Sequence, residues 1–96
     1  MAGRDWSYGT EAETAPRDSQ GLNRRLSLKR RDGRVDGVLL VLRETRRTRL
    51  FLREAADELG PSFPIPGSRA LELLRAGADP GGSAIILVPR PAPPHV

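Results

Sequence analysis

The sequence predicts a small α/β domain: a three-stranded, mainly parallel sheet with three helices, in the order strand, helix, strand, helix, helix, strand. Two observations carry this. Residues 38–42 (VLLVL) and 84–88 (AIILV) are unbroken apolar runs, too short for helices and rich in branched side chains, as strands buried on both faces must be. Between and before them lie stretches with caps and apolar positions one helical turn apart.

The first element is a strand over Trp6–Thr14. Trp6, Tyr8, Thr10, Ala12 and Thr14 alternate with Ser7, Gly9, Glu11 and Glu13, so aromatics and threonines face one way and the two glutamates the other. Pro16 ends it. Asp18 or Ser19 then caps a helix with Leu22 and Leu26 inward and Leu28 on its flank. Arg24, Arg25, Lys29, Arg30 and Arg31 occupy the rest of its surface. Gly21 weakens this helix by about 1 kcal/mol relative to alanine. Gly33 is expected to close it in the left-handed conformation, with the late cations complementing the dipole.

After the strand at Val38–Leu42, Thr45 caps a helix running to Leu59, whose inward stripe is Thr48, Leu52, Ala55, Ala56 and Leu59. Gly60 and Pro61 stop it. In PSFPIPG, Phe63 and Ile65 are expected to pin a rigid connector to the core. Ser68 opens a short helix holding Leu71 and Leu74 on one side and closing at Gly77. ADPGG is a turn: it lacks the lysine and following helix of a phosphate loop. The last strand follows at Ala84–Val88. Residues 1–5 and the proline-rich 89–96 are expected to be disordered, leaving one domain over 6–88.

Composition narrows the chemistry. The 96 residues contain no cysteine, which excludes disulfides and thiolate sites, and the single histidine, His95, sits in the tail. No apolar run is long enough for a membrane helix and no signal-peptide core is present, so a cytoplasmic location without a membrane partner is expected. Charge is uneven. Residues 17–49 carry eleven cations against four acids, whereas residues 50–96 carry four against five. A basic middle third attracts phosphate, DNA or an acidic protein chain. Fifteen of the sixteen cations are arginine, a bias that a GC-rich coding genome produces as readily as any function.

Two candidate sets emerge. Glu11 and Glu13, two apart on a strand, project from the same face with about 7 Å between their Cα atoms. That spacing suits one Mg2+, with Gln20 and Lys29 reaching in from the helix. Carboxylates ion-paired with neighbouring arginines fit the same residues, and no cofactor is then needed. Arg24, Arg25, Arg30, Arg46, Arg47 and Arg49 are candidate phosphate or anion contacts. The last three sit unfavourably at a helix N-terminus, where a bound anion would offset them. The scattered aromatics form no stacking platform for bases.

The segments EAET, LKRRDG, TRRTR and ADPGGSAIILV, in that order, resemble the C-terminal domain of actinobacterial helix-turn-helix regulators of the Xre type, over residues 6–88. That domain is similar in layout to the restriction-endonuclease-like fold. The resemblance implies a non-catalytic regulatory or interaction domain whose DNA-reading helices lie upstream, and an incomplete, N-terminally truncated sheet here. It also implies an alternative, a metal-dependent nuclease remnant. Nucleases of this layout carry an acid followed two residues later by lysine, and here Glu13 stands in the lysine's place. A nonspecific basic binder of nucleic acid is the third reading.

Overall fold

The computed structural model describes residues 2–13 and 16–89. It contains strand β1 (Tyr8–Glu13), helix α1 (Ser19–Gly33), strand β2 (Gly37–Arg43), helices α2 (Arg46–Glu54) and α3 (Ala56–Leu59), a 3-10 turn (Gly60–Ser62), helix α4 (Gly67–Arg75) and strand β3 (Ala84–Val88). The sheet is wholly parallel in the order β1-β2-β3. Tyr8 pairs with Gly37 and Glu13 with Leu42 on one side, while Leu39 pairs with Ala84 and Arg43 with Val88 on the other. The two apolar runs are therefore neighbours, and β2 is the central strand. Residues 90–96 of the proline-rich tail and Thr14, the expected last residue of β1, lie outside the described residues.

Because parallel partners point to the same face, the register sorts the core into two layers. On one face Val38, Leu40 and Leu42 pack with Leu22 and Leu26 of α1, with Phe51, Leu52, Phe63, Ile85 and Leu87 around them. On the other, Tyr8, Leu39, Ala84 and Ile86 pack with Ala70 of α4, flanked by Trp6, Ile65 and Leu74. Leu39, Leu40 and Leu42 are fully buried, each contributing about 1.5–3 kcal/mol by leaving water. A continuous apolar run results because β2 has no solvent face. The edge strand β3 alternates instead, and Val88 is exposed.

The caps follow the sequence. Asp18 accepts the Gly21 N–H at 3.1 Å, and Thr45 Oγ1 accepts the Thr48 N–H at 3.1 Å. Phe63 and Ile65 pack against the core as expected.

Three local expectations are corrected. Gly33 stays helical and Arg34 takes the left-handed conformation (φ 53°), since one more residue is needed before the chain turns into β2. The helix expected over 45–59 breaks at Ala55, where ψ is 7°, and the restart turns Ala56 out to solvent. The fourth helix begins at Gly67 and its buried residue is Ala70, while Leu71 is only half-buried. Leu28 lies on the flank of α1 as expected, 44% exposed.

Candidate functional site

The register of β1 settles where its carboxylates lie. Glu11 is paired with Leu40 and Glu13 with Leu42, so both emerge on the face covered by α1. There Lys29 bonds Glu11, and Arg25 bonds Glu13 at 3.0 Å. The match is geometric. Four residues of helix rise about 6 Å and two residues of strand about 7 Å, so residues four apart on α1 meet residues two apart on β1 as successive rungs. The order is reversed (25 with 13, 29 with 11) because the helix returns against the strand direction.

Both glutamates are about a quarter exposed and both cations about half exposed. The Lys29 ammonium, chiefly through its hydrogen bond, holds the Glu11 carboxyl below the usual range, and burial opposes this only in part. Half-exposed rungs of this kind contribute about 0.2–1 kcal/mol each. They also fix the pitch of α1 over β1. At the carboxyl end of β1 the ladder opens onto a shallow groove of about 350 Å³ between Glu13, Pro16, Arg17, Asp18 and Arg25.

The remaining candidates divide. Gln20 falls about 140° around α1 from Arg25; it is exposed and makes no side-chain hydrogen bond among the described residues, so the helix turns it away from the ladder. Arg49 bonds Glu44, leaving it to neutralise its own flanking acid. Arg24, Arg30, Arg46 and Arg47 are exposed, and none forms an ion pair among the described residues. The first turn of α2 holds no acid to balance Arg46 and Arg47. A divalent cation at Glu11 and Glu13 would have to displace Lys29 and Arg25. Among the described residues no three acidic or histidine side chains gather as a metal-ligand group, and no helix is long and apolar enough to cross a membrane.

Sequence reasoning missed two features. The Tyr8 hydroxyl donates to Asp79 Oδ1 at 2.6 Å, and the same oxygen accepts the Gly81 N–H at 2.9 Å. Burial first, and then this bond, push the Tyr8 hydroxyl up to about 12, while the bond holds the Asp79 carboxyl below its usual value. The aspartate-centred half of this was readable, because Asp before Pro-Gly commonly accepts the N–H two residues on. Its partner 71 residues away was not. The second feature is Ser83, whose Oγ accepts the Val38 N–H at 2.9 Å. It extends the β2-β3 pairing by one side-chain bond beyond Leu39 and Ala84.

The fold and site together define a small α/β domain with a self-neutralised acidic strand and, among the described residues, arginines without ion pairs on two helices. Comparison with protein-family models, curated proteins and solved structures finds no match to this chain.

Proposed function

We propose that the chain is a non-catalytic regulatory or interaction domain, related to the domain that accompanies the DNA-reading helices in Xre-type regulators. The observation that carries this is the ladder: the two carboxylates that would serve a nuclease are each spent on a cation of α1. Glu11 and Glu13 hold the helix on the sheet, and the chemistry presented outward is that of Arg24, Arg30, Arg46 and Arg47. These meet an acidic partner, DNA or a protein chain. The kinship to the restriction-endonuclease-like layout belongs to the same proposal and is supported by the motif order given above.

The test is calorimetric. Mg2+ and Mn2+ titrated into the wild type and into a Glu11→Ala, Glu13→Ala double variant are expected to give the same featureless heats. A saturable isotherm seen only in the wild type would replace this reading with the nuclease remnant. Duplex DNA titrated at about 50 and 200 mM salt separates the third reading. A nonspecific binder using these arginines loses affinity steeply across that range, by counterion release.

A further inference from the structure

A second cleft, of about 440 Å³, lies at the opposite end of the sheet from the ladder groove, between α1, the connector before α4 and the turn that leads into β3. Phe63, with Pro61 and Pro64, gives it some apolar surface, and Leu26 and Val38 lie beneath, but most of the surface that faces the cleft is polar. Leu26 and Val38 are almost wholly buried and belong to the main core layer. Around them stand the side chains of Asn23, Ser27, Arg30, Ser62 and Ser83, with the backbone of Gly81 and Gly82. Small-molecule sites join apolar surface to a few convergent polar groups; here the polar groups dominate, and the volume is at the lower end for such a site.

Three of the polar groups have unused hydrogen-bonding capacity. Ser83 is 94% buried, and its oxygen accepts the Val38 N–H. A hydroxyl that accepts still has its proton to donate. Arg30 is the single charged side chain of the lining and has no ion pair among the described residues. Asn23 turns its amide nitrogen to the carbonyl and carboxylate oxygens of Glu58, at 3.4 and 3.3 Å. Both oxygens only accept, so the orientation is fixed, and Asn23 Oδ1 is left buried with no partner. Buried polar atoms are nearly always satisfied, and an exception calls for an explanation.

The donors Arg30, Ser27, Ser62 and Ser83 suit an oxyanion, and Asn23 Oδ1, unsatisfied and buried behind the lining, suits a neighbouring hydroxyl or amine that reaches in to it. Charge decides which oxyanion. One guanidinium balances a carboxylate, whereas a phosphate monoester near neutral pH carries about −1.5 to −2. We propose that this cleft binds a small monocarboxylate whose apolar body carries a hydroxyl or amino group beside the carboxylate. The inference shares Arg30 with the interaction surface proposed above, but Arg24, Arg46 and Arg47 lie outside the cleft, and a metal or DNA titration reads neither Ser83 nor Phe63.

The test is a nitrogen-15 amide shift titration of the full chain with 3-phenyllactate, 3-phenylpropionate and inorganic phosphate. Phenyllactate is expected to saturate, with shifts centred on Ser27, Ser62, Phe63, Gly82 and Ser83. Phenylpropionate, which lacks the donor, binds more weakly, and phosphate gives no saturable response at these amides. Arg30→Gln weakens phenyllactate about ten- to hundredfold, as loss of a charged hydrogen bond should. Arg30→Lys recovers part of that loss, and Arg24→Gln, outside the cleft, changes nothing. Because Arg30 is exposed, the spectra themselves report that the variants fold. Shifts that grow without saturation, an unchanged affinity in Arg30→Gln, or tighter binding of phosphate at the same amides would overturn the proposal.

Discussion

Replacing Gly67 by alanine should destabilise this domain, although alanine is the better helix former. Gly67 opens α4 where the chain runs against the backbone of β3: Ile65 forms a parallel bridge with Ala84, and its N–H bonds the Ser83 carbonyl at 3.2 Å. A Cβ at Gly67 would stand 2.2 Å from the Ile85 carbonyl oxygen, about 1 Å short of the ~3.3 Å at which carbon and carbonyl oxygen ordinarily meet. A backbone atom in a sheet cannot rotate aside, so α4 must withdraw by that amount. A gap of 0.5–1 Å forfeits roughly a quarter to a half of each contact it opens, and those contacts include Ala70, which is completely buried. The expected loss is about 1–3 kcal/mol, and each kcal/mol lowers the Tm by roughly 4–8 °C in a domain this size. Gly60→Ala is the control. Its backbone is right-handed (φ −51°) and nothing lies within 4 Å of the added Cβ, so a gain of about 0.4–1 kcal/mol is expected from the stiffer unfolded chain. Urea unfolding followed through Trp6, the only tryptophan, measures both. A Gly67→Ala variant as stable as the wild type would refute the reasoning.

Three further outcomes are expected. Ser83→Ala strands the Val38 N–H in a buried position and should cost about 1–3 kcal/mol, read as a lower urea midpoint with an unchanged m-value. Arg34→Gly should raise stability by about 0.5–1 kcal/mol, because glycine relieves the left-handed strain but loses more entropy on folding; the exposed Arg34 side chain takes part in no ion pair among the described residues. Tyr8 is the only tyrosine, so its ultraviolet titration is unambiguous, with a midpoint near 12 in the folded protein against about 10 in denaturant. A raised value means that stability from this group is intact below pH 10 and is lost as pH rises toward 12. Tyr8→Phe should remove that part of the alkaline loss.

What the chain spells out locally was legible, and what depends on approach was not. Residues 38–42 and 84–88 announced buried strands because a strand without a solvent face needs no polar alternation. Asp18 and Thr45 announced helix starts because their side chains bond N–H groups within the next three residues. Glu11 and Glu13 were visible as a pair, yet their role turned on which face α1 would cover. The clue was present in the spacing of Arg25 and Lys29, four apart against two, but spacing alone does not set a helix over a strand. Gly67 carried no signal at all, since its reason for being glycine is a carbonyl eighteen residues later. Gly33 misleads by one position, because glycine's permissiveness says nothing of the length of chain needed for Asp36 to reach Ser7, where the Asp36 N–H bonds the Ser7 carbonyl at 2.8 Å and its carboxylate accepts the Ser7 N–H at 2.9 Å.

The same contacts explain why the domain is unevenly finished. At the amino ends of the strands Tyr8 is tied to Asp79, Ser83 to Val38 and Ser7 to Asp36, and α4 closes the second face of the sheet. Toward the carboxyl ends that face thins: Thr10, Ala12 and Val88 are exposed and Val41 is only half-buried. A ligand site gains precision from walls that are already locked by packing and hydrogen bonds. The cleft bounded by Ser83 and floored by Leu26 and Val38 has such walls. Apart from Arg30 at the rim of the cleft, the exposed arginines Arg24, Arg46 and Arg47 of α1 and α2 stand instead on outer helix faces, where side chains adapt to a partner. On the two proposals made above, selective binding of a small molecule would belong to the amino end of the sheet, and looser, charge-driven contact to the outer helices.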